Sequence, residues 1–276
     1  MTKPFYYQLN EAVEKRLIPD PKDNFMNGLT WGEAHEFFTP CYWLTQYWMN
    51  GFDRMSESKY KSNATLTEEL TFCLLGGFGV TAELATAAFE RCKEVGLIDN
   101  YETDPRCWED YLSHPLKLEG KSRRYRYPRQ KSKYLSSAMK VLKSCNWNHL
   151  KGKQLRDRLL TLKGVGPKTA SWIVRNLEDS DEVAILDIHL IRAGIITGIF
   201  KPEHNVDKHY TEMESIFIEF CRKLGAQPSR LDCLIWDQMR EIGPLGLRLF
   251  ERAMHKPKNR AELISLSVEE KQLQLV

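Results

Sequence analysis

Lys168 and Asp187 are the two residues whose types and spacing point to covalent chemistry, nineteen positions apart in a chain of 276. A lysine amine without its proton is a nucleophile that can form a Schiff base. Lys168 falls in the first turn of an expected helix, whose positive end disfavours an ammonium, so the sequence predicts easier deprotonation than for an exposed lysine. Asp187 follows the apolar run Val183-Ala184-Ile185-Leu186 and precedes Ile188-His189-Leu190-Ile191. It is placed to cap the next helix and to present a carboxylate where the chain returns from the core. Taken singly, each has a plainer reading: a first-turn lysine is usually solvated, and such an aspartate is often only a cap. Their order and spacing make the joint reading the stronger one.

The elements that must position them are legible around Leu160–Arg192. Leu155, Leu159, Leu160 and Leu162 supply the apolar side of one helix, and Gly164-Val165-Gly166 turns the chain. Glycine tolerates positive φ and leaves its N–H open to close approach. Pro167 suits the first turn of a second helix, where Ala170, Ile173, Val174 and Leu177 recur at helical spacing. A glycine hairpin beside a helix N-terminus is a ready anion site, so Gly164, Val165 and Gly166 are candidate phosphate-binding positions.

The run K-G-V-G-P-K-T-A-S-W-I-V-R-N, followed by V-A-I-L-D-I-H-L-I-R, resembles the helix-hairpin-helix, Gly/Pro-rich loop and aspartate signature of the DNA glycosylase superfamily. Within it, the resemblance is to the compact second type of 8-oxoguanine DNA glycosylase/lyase of archaea and some bacteria. Tyr127-Pro128-Arg129-Gln130-Lys131-Ser132-Lys133-Tyr134 resembles that group's approach to a mid-domain helix, and Leu231-Asp232-Cys233-Leu234-Ile235-Trp236 its C-terminal segment. The likeness spans roughly 66–242. It implies that Lys168 attacks C1′ of a deoxyribose, that the damaged base leaves, and that β-elimination nicks the strand. It implies that Asp187 either stabilises the developing positive charge or activates the nucleophile. It further implies a flipped-out base, since a base within the duplex is out of reach.

Other candidates follow from that frame. Trp172, one turn past Lys168, faces the same way and could line a base pocket, where an indole stacks on a purine. Trp236 is a second stacking candidate, and Asp232 a hydrogen-bond acceptor for a purine N–H. His189 reads either as a contact to phosphate or lesion or as a core histidine. Phe78, ringed by glycines, reads either as a wedge between bases or as a core residue. The compact relatives end on a lysine near the base, whereas this chain runs on for more than thirty residues past Gly243, which leaves the base specificity open.

The net charge is only +3, but its distribution is uneven. Leu66–Leu116 carries ten acids and three bases; Lys117–Lys140 carries nine bases and one acid, with Tyr125, Tyr127 and Tyr134 interleaved. That composition suits a phosphate surface or a solvated loop, and Arg129, Lys131 and Lys133 are its candidate phosphate contacts. The seven cysteines include no C-x-x-C pair, so neither zinc, nor an iron–sulfur cluster, nor any other metal or cofactor is expected. Buried free thiols in a reducing compartment, a cytoplasmic location and a monomer are the expectations. No apolar signal core opens the chain, and charges interrupt its longest apolar run.

The sequence predicts an all-α fold of two helical domains with a DNA-binding cleft between them. The aromatic-rich segment 1–65 is expected to pack with the C-terminal helices, 66–180 to form the central domain ending in the helix-hairpin-helix, and 181–276 a C-terminal helical domain with a mobile tail. Almost no strand-like alternation is seen, and 97–128 reads as loop-rich. The function expected is removal of an oxidised purine, 8-oxoguanine, from double-stranded DNA by a bifunctional glycosylase/lyase. The alternatives are a glycosylase for a different or bulkier base, and a non-catalytic helix-hairpin-helix DNA-binding protein.

Overall fold

The computed structural model describes residues 2–56, 62–77, 79–118 and 120–255. The chain opens on a β-ribbon: β1 (Lys3–Leu9) pairs antiparallel with β2 (Ala12–Ile18), Leu9 opposite Ala12. The two turn residues, Asn10 and Glu11, both have positive φ, the primed geometry that matches strand twist. A second ribbon, β3 (Asn24–Met26) with β4 (Leu29–Thr30), turns on Asn27-Gly28, the commonest sequence for such a turn.

These ribbons correct the expectation of almost no strand. The inner face of β2 hides its alternation because it is charged: Glu14 pairs with Arg54 at 2.9 Å and Arg16 lies 5.2 Å over the Trp48 ring. Period-two hydrophobicity fails where ion pairs, not apolar groups, hold the inward side.

The rest is helical: α1 (Pro40–Met49), α2 (Leu66–Leu75), α3 (Ala82–Glu94), α4 (Pro105–Ser113), a third small ribbon of β5 (Leu116–Leu118) and β6 (Lys121–Arg123), then α5 (Pro128–Ser144), α6 (Gly152–Leu159), α7 (Pro167–Glu178), α8 (Ile188–Thr197), α9 (Val206–Leu224), α10 (Pro228–Ile242) and α11 (Pro244–Met254). Local signals place most of these ends. Thr65 caps α2 in a reciprocal box with Glu68, Thr81 caps α3, and Pro167 and Pro228 open α7 and α10. The stretch expected to be loop-rich contains α4, which buries Trp108 and Leu112.

Two hydrophobic cores organise these elements. One gathers Leu70, Leu74, Trp108, Leu135, Met139 and Ile173 from α2 through α7, ending at Val183. The other gathers Phe25, Trp43, Tyr47 and Phe52 from the N-terminal segment with Ala184, Phe217, Phe220 and Leu231. Val183 belongs to the first and Ala184 to the second. The chain therefore passes between cores just before Asp187, which puts that carboxylate at the seam.

Candidate active site

The hairpin between α6 and α7 is tight for a visible reason. Gly164 has φ +85°, and a Cβ there would fall 2.4 Å from the Tyr134 ring on α5. Only glycine takes that conformation and that closeness together. Val165 does not serve as an anion donor: its N–H is used within the turn, donating to Leu162 O at 3.2 Å, and its side chain is buried. Gly164 and Gly166 remain as the hairpin's exposed amides beside the α7 N-terminus.

Lys168 is exposed on the first turn of α7, its Nζ 5.8 Å from the Trp172 ring centre. Asp187 caps α8, with Oδ1 accepting the Leu190 N–H at 2.9 Å. Trp172 and Asp187 both line a cavity of about 230 Å³ at the seam between the cores, together with Phe72, Arg175, Asn176, Asp232, Cys233 and Trp236. The structure thus brings Trp172, Asp187, Asp232 and Trp236 to one cavity, and Lys168 is linked to it through its contact with Trp172. His189 does not line that cavity but lies 6.4 Å from the Trp236 ring in an edge-on arrangement.

A buried network fixes the register of the reactive segments. Glu214 of α9, 1% exposed, accepts from Arg156 Nη1 of α6 at 2.7 Å, from Ser171 Oγ of α7 at 3.1 Å and from Ala184 N at 3.1 Å. Tyr210, also on α9, donates its hydroxyl to Ala184 O at 2.8 Å. Ser171 adjoins Trp172, and Ala184 lies three residues before Asp187. One helix of the second core therefore ties down both sides of the cavity.

The floor carries charge. Arg175 Nη1 lies 3.2 Å from Asp232 Oδ1 and 2.9 Å from Cys233 Sγ. Burial pushes the Asp232 carboxyl up to about 6, against the pull of Arg175 and the neighbouring Cys233. Its Oδ2 is buried and has no hydrogen-bond partner among the described residues.

The expected phosphate surface divides. Lys133 is exposed on α5. Arg129 is exposed and paired with Glu109 at 3.1 Å. Lys131 departs from expectation: its half-buried Nζ donates to Gly76 O at 2.8 Å, bracing the glycine loop, and burial lowers its pKa. A long stem reaching a backbone carbonyl has gained a structural partner in place of solvent. Phe78, the wedge candidate, lies outside the described residues.

Sequence reading missed Phe72, Arg175, Asn176 and Arg240. Arg175 and Asn176 follow Trp172 by three and four positions, so helical spacing alone places them on its face. Arg240, 4.3 Å over the Trp236 ring, holds that indole from one turn further on. Phe72 carried no local signal.

Among known proteins, the family model described as 8-oxoguanine DNA glycosylase matches residues 48–226. An 8-oxoguanine DNA glycosylase/AP lyase of Korarchaeum cryptofilum is 30% identical over 190 residues, covering 66% of this chain and 84% of its own. The protein of that name from Picrophilus torridus is 28% identical over 192 residues, covering 67% and 82%. The crystal structure of Methanocaldococcus jannaschii 8-oxoguanine DNA glycosylase superposes with a TM-score of 0.52 at 25% identity, covering 72% of this chain and 92% of that one.

Proposed function

This chain belongs to the 8-oxoguanine DNA glycosylase family, and from that premise we propose that it removes 8-oxoguanine from duplex DNA and nicks the strand through a lysine Schiff base. The observation that carries this reading is the convergence at the seam. A cavity walled by Phe72, Trp172 and Trp236 offers flat faces for an extruded base, and Asp187 lines it. The Lys168 amine lies 5.8 Å from the ring centre of Trp172, which lines that cavity.

In this reading the Gly164 and Gly166 amides hold a backbone phosphate and set register without reading sequence. Lys168 Nζ forms a bond to C1′ as the N-glycosidic bond breaks, and the base leaves with its bonding pair and takes up a proton. Asp187 opposes the positive charge that develops at the sugar. The attacking nitrogen then loses a proton and the C1′–O4′ bond breaks, O4′ taking up a proton, which leaves a protonated imine. That imine acidifies C2′; loss of the C2′ proton expels the 3′-phosphate, and water then hydrolyses the imine to free the lysine. The protein works as a monomer in the compartment that holds DNA. No helix among the described residues is long and apolar enough to cross a membrane.

Borohydride trapping tests the reading with two labelled duplexes, one carrying 8-oxoguanine opposite cytosine and one carrying an abasic site. A covalent adduct on both is expected. An adduct on the abasic duplex alone would move the substrate to another base, and none on either would leave a DNA-binding protein without lyase chemistry.

Asp232 predicts a pH dependence of base removal. Above about 6 its carboxylate is ionised beside Arg175, with Asp187, Asp179 and Cys233 as the other groups that bear on it, and it accepts N–H donors. Protonation turns an acceptor into a donor. The ratio of 8-oxoguanine excision to abasic-site cleavage is therefore expected to fall as pH drops through about 6, approaching tenfold per unit well below it. A flat ratio between pH 5 and 8 would remove Asp232 from base recognition. The same shift has a stability consequence of definite sign. The folded state keeps this proton between roughly the ordinary value of 3.8 and 6 while the unfolded chain releases it, so the contribution of Asp232 to stability is lost as pH rises through that window.

A further inference from the structure

Asn176 occupies the seam of α2 and α7 and lines the cavity while remaining only 9% exposed. Its position is held twice. Its backbone carbonyl accepts the Ser62 N–H at 2.7 Å. Its side-chain Nδ2 donates to Glu69 Oε1 of α2, also at 2.7 Å, and Glu69 is itself buried.

The second bond settles the orientation of the amide. A carboxylate accepts and does not donate, so the NH₂ end must face Glu69 and the carbonyl end must face away from it. That carbonyl oxygen, Oδ1, is buried and has no hydrogen-bond partner among the described residues. A buried acceptor left unmade costs about 1–3 kcal/mol. In a residue that lines the cavity, an acceptor left unmet in this way is one that a bound ligand's donor would satisfy.

Asp232 Oδ2 is a second acceptor of the same kind in the same wall. Two acceptors between aromatic faces select a flat ligand with N–H donors on its ring. Adenine carries ring nitrogens that accept and a single exocyclic donor group. Guanine carries donors at N1 and N2, and oxidation at C8 converts N7 from acceptor to donor. An amide oxygen facing an oxidised purine meets N–H where, at N7 of the unoxidised base, it would meet a lone pair.

We propose that Asn176 is a specificity-determining residue whose Oδ1 accepts a ring N–H of the extruded oxidised purine, and that Glu69 is the positioning residue that keeps this oxygen turned to the base. The assignment rests on the reading of the cavity as the base pocket. It is neutral by design: an amide cannot titrate, so this contact persists at pH values where Asp232 gains its proton.

The experiment uses the full chain in single-turnover cleavage of the 8-oxoguanine duplex and of the abasic duplex, with Asn176→Leu and Glu69→Gln. Leucine keeps the volume and removes the acceptor. Glutamine keeps the packing but can itself donate, which frees the amide to turn over. Each variant is expected to lose about 10- to 100-fold on 8-oxoguanine, while cleavage of the abasic duplex, which has no base to bind, stays within about twofold of wild type. Equal losses on both duplexes would show a structural role only, and no loss on either would show that the oxygen meets no donor; each overturns the assignment. Should Asn176→Leu fail to fold, Glu69→Gln carries the same comparison. Wild type that cuts the abasic duplex alone would instead move the substrate to another base, and this assignment to an oxidised purine would fall with the proposed function.

Discussion

Lys168→Gln is expected to abolish borohydride trapping and to lower strand cleavage at 8-oxoguanine by at least about a thousandfold, roughly 4 kcal/mol of transition-state stabilisation. Glutamine keeps the polarity and most of the length of the side chain and removes the nucleophilic amine. Because Lys168 is exposed, the substitution should change stability by no more than about 1 kcal/mol, the upper end coming from the lost contact with Trp172. The two readouts therefore separate: denaturant midpoint nearly unchanged, chemistry gone. Trapping that survives in Lys168→Gln would place the Schiff base on another amine. An unfolded variant would mean that the α7 N-terminus depends on this side chain in a way its exposure does not suggest.

The largest effect on stability is expected from Glu214→Ala, about 3–5 kcal/mol by urea denaturation. Glu214 is the common acceptor for Arg156, Ser171 and the Ala184 amide, and nothing else described in the structure satisfies the Arg156 Nη1 end. Asp157 retains the Nε side of that guanidinium at 2.6 Å, but removing the carboxylate leaves a buried cation half compensated. Replacing both partners, as in Arg156→Met with Glu214→Leu, should recover most of the loss, since a buried ion pair owes much of its apparent strength to the cost of breaking it. Glu214→Ala within about 1 kcal/mol of wild type would show that the network is not a structural tie. The network also carries a functional expectation. Ser171 neighbours Trp172 and Ala184 leads into Asp187, so loosening it moves the cavity walls before it unfolds the domain.

The reactive stretch was legible in the chain because its determinants are local. A glycine forced to positive φ, a proline at a helix start, an aspartate that caps the next helix and an apolar period are all properties of neighbours along the backbone. Lys168, Trp172 and Asp187 could therefore be placed from spacing, and Asp232 and Trp236 from a short segment resembling a known family. The charged pattern of residues 117–140 was equally plain, but its meaning was not. Sequence cannot tell a lysine that reaches solvent from Lys131, which reaches the Gly76 carbonyl instead.

What tertiary structure alone decided is which distant groups share the cavity and which polar atoms in it stay unmet. Asn176 takes its orientation from Glu69, 107 positions away, and Arg156 its partner from Glu214, 58 positions away. Phe72 enters the wall from a helix whose own sequence reads as ordinary core. Burial and hydrogen-bond satisfaction depend on what the folded chain brings alongside, not on residue type: the Asn176 amide is pinned at its NH₂ end by Glu69 while its buried oxygen is left unmet among the described residues. The chain alone carried the signs of the proposed nucleophile, of the turn that presents it and of the family; the packing of two cores across one seam made the pocket, because there side chains from α2, α7 and α10 meet.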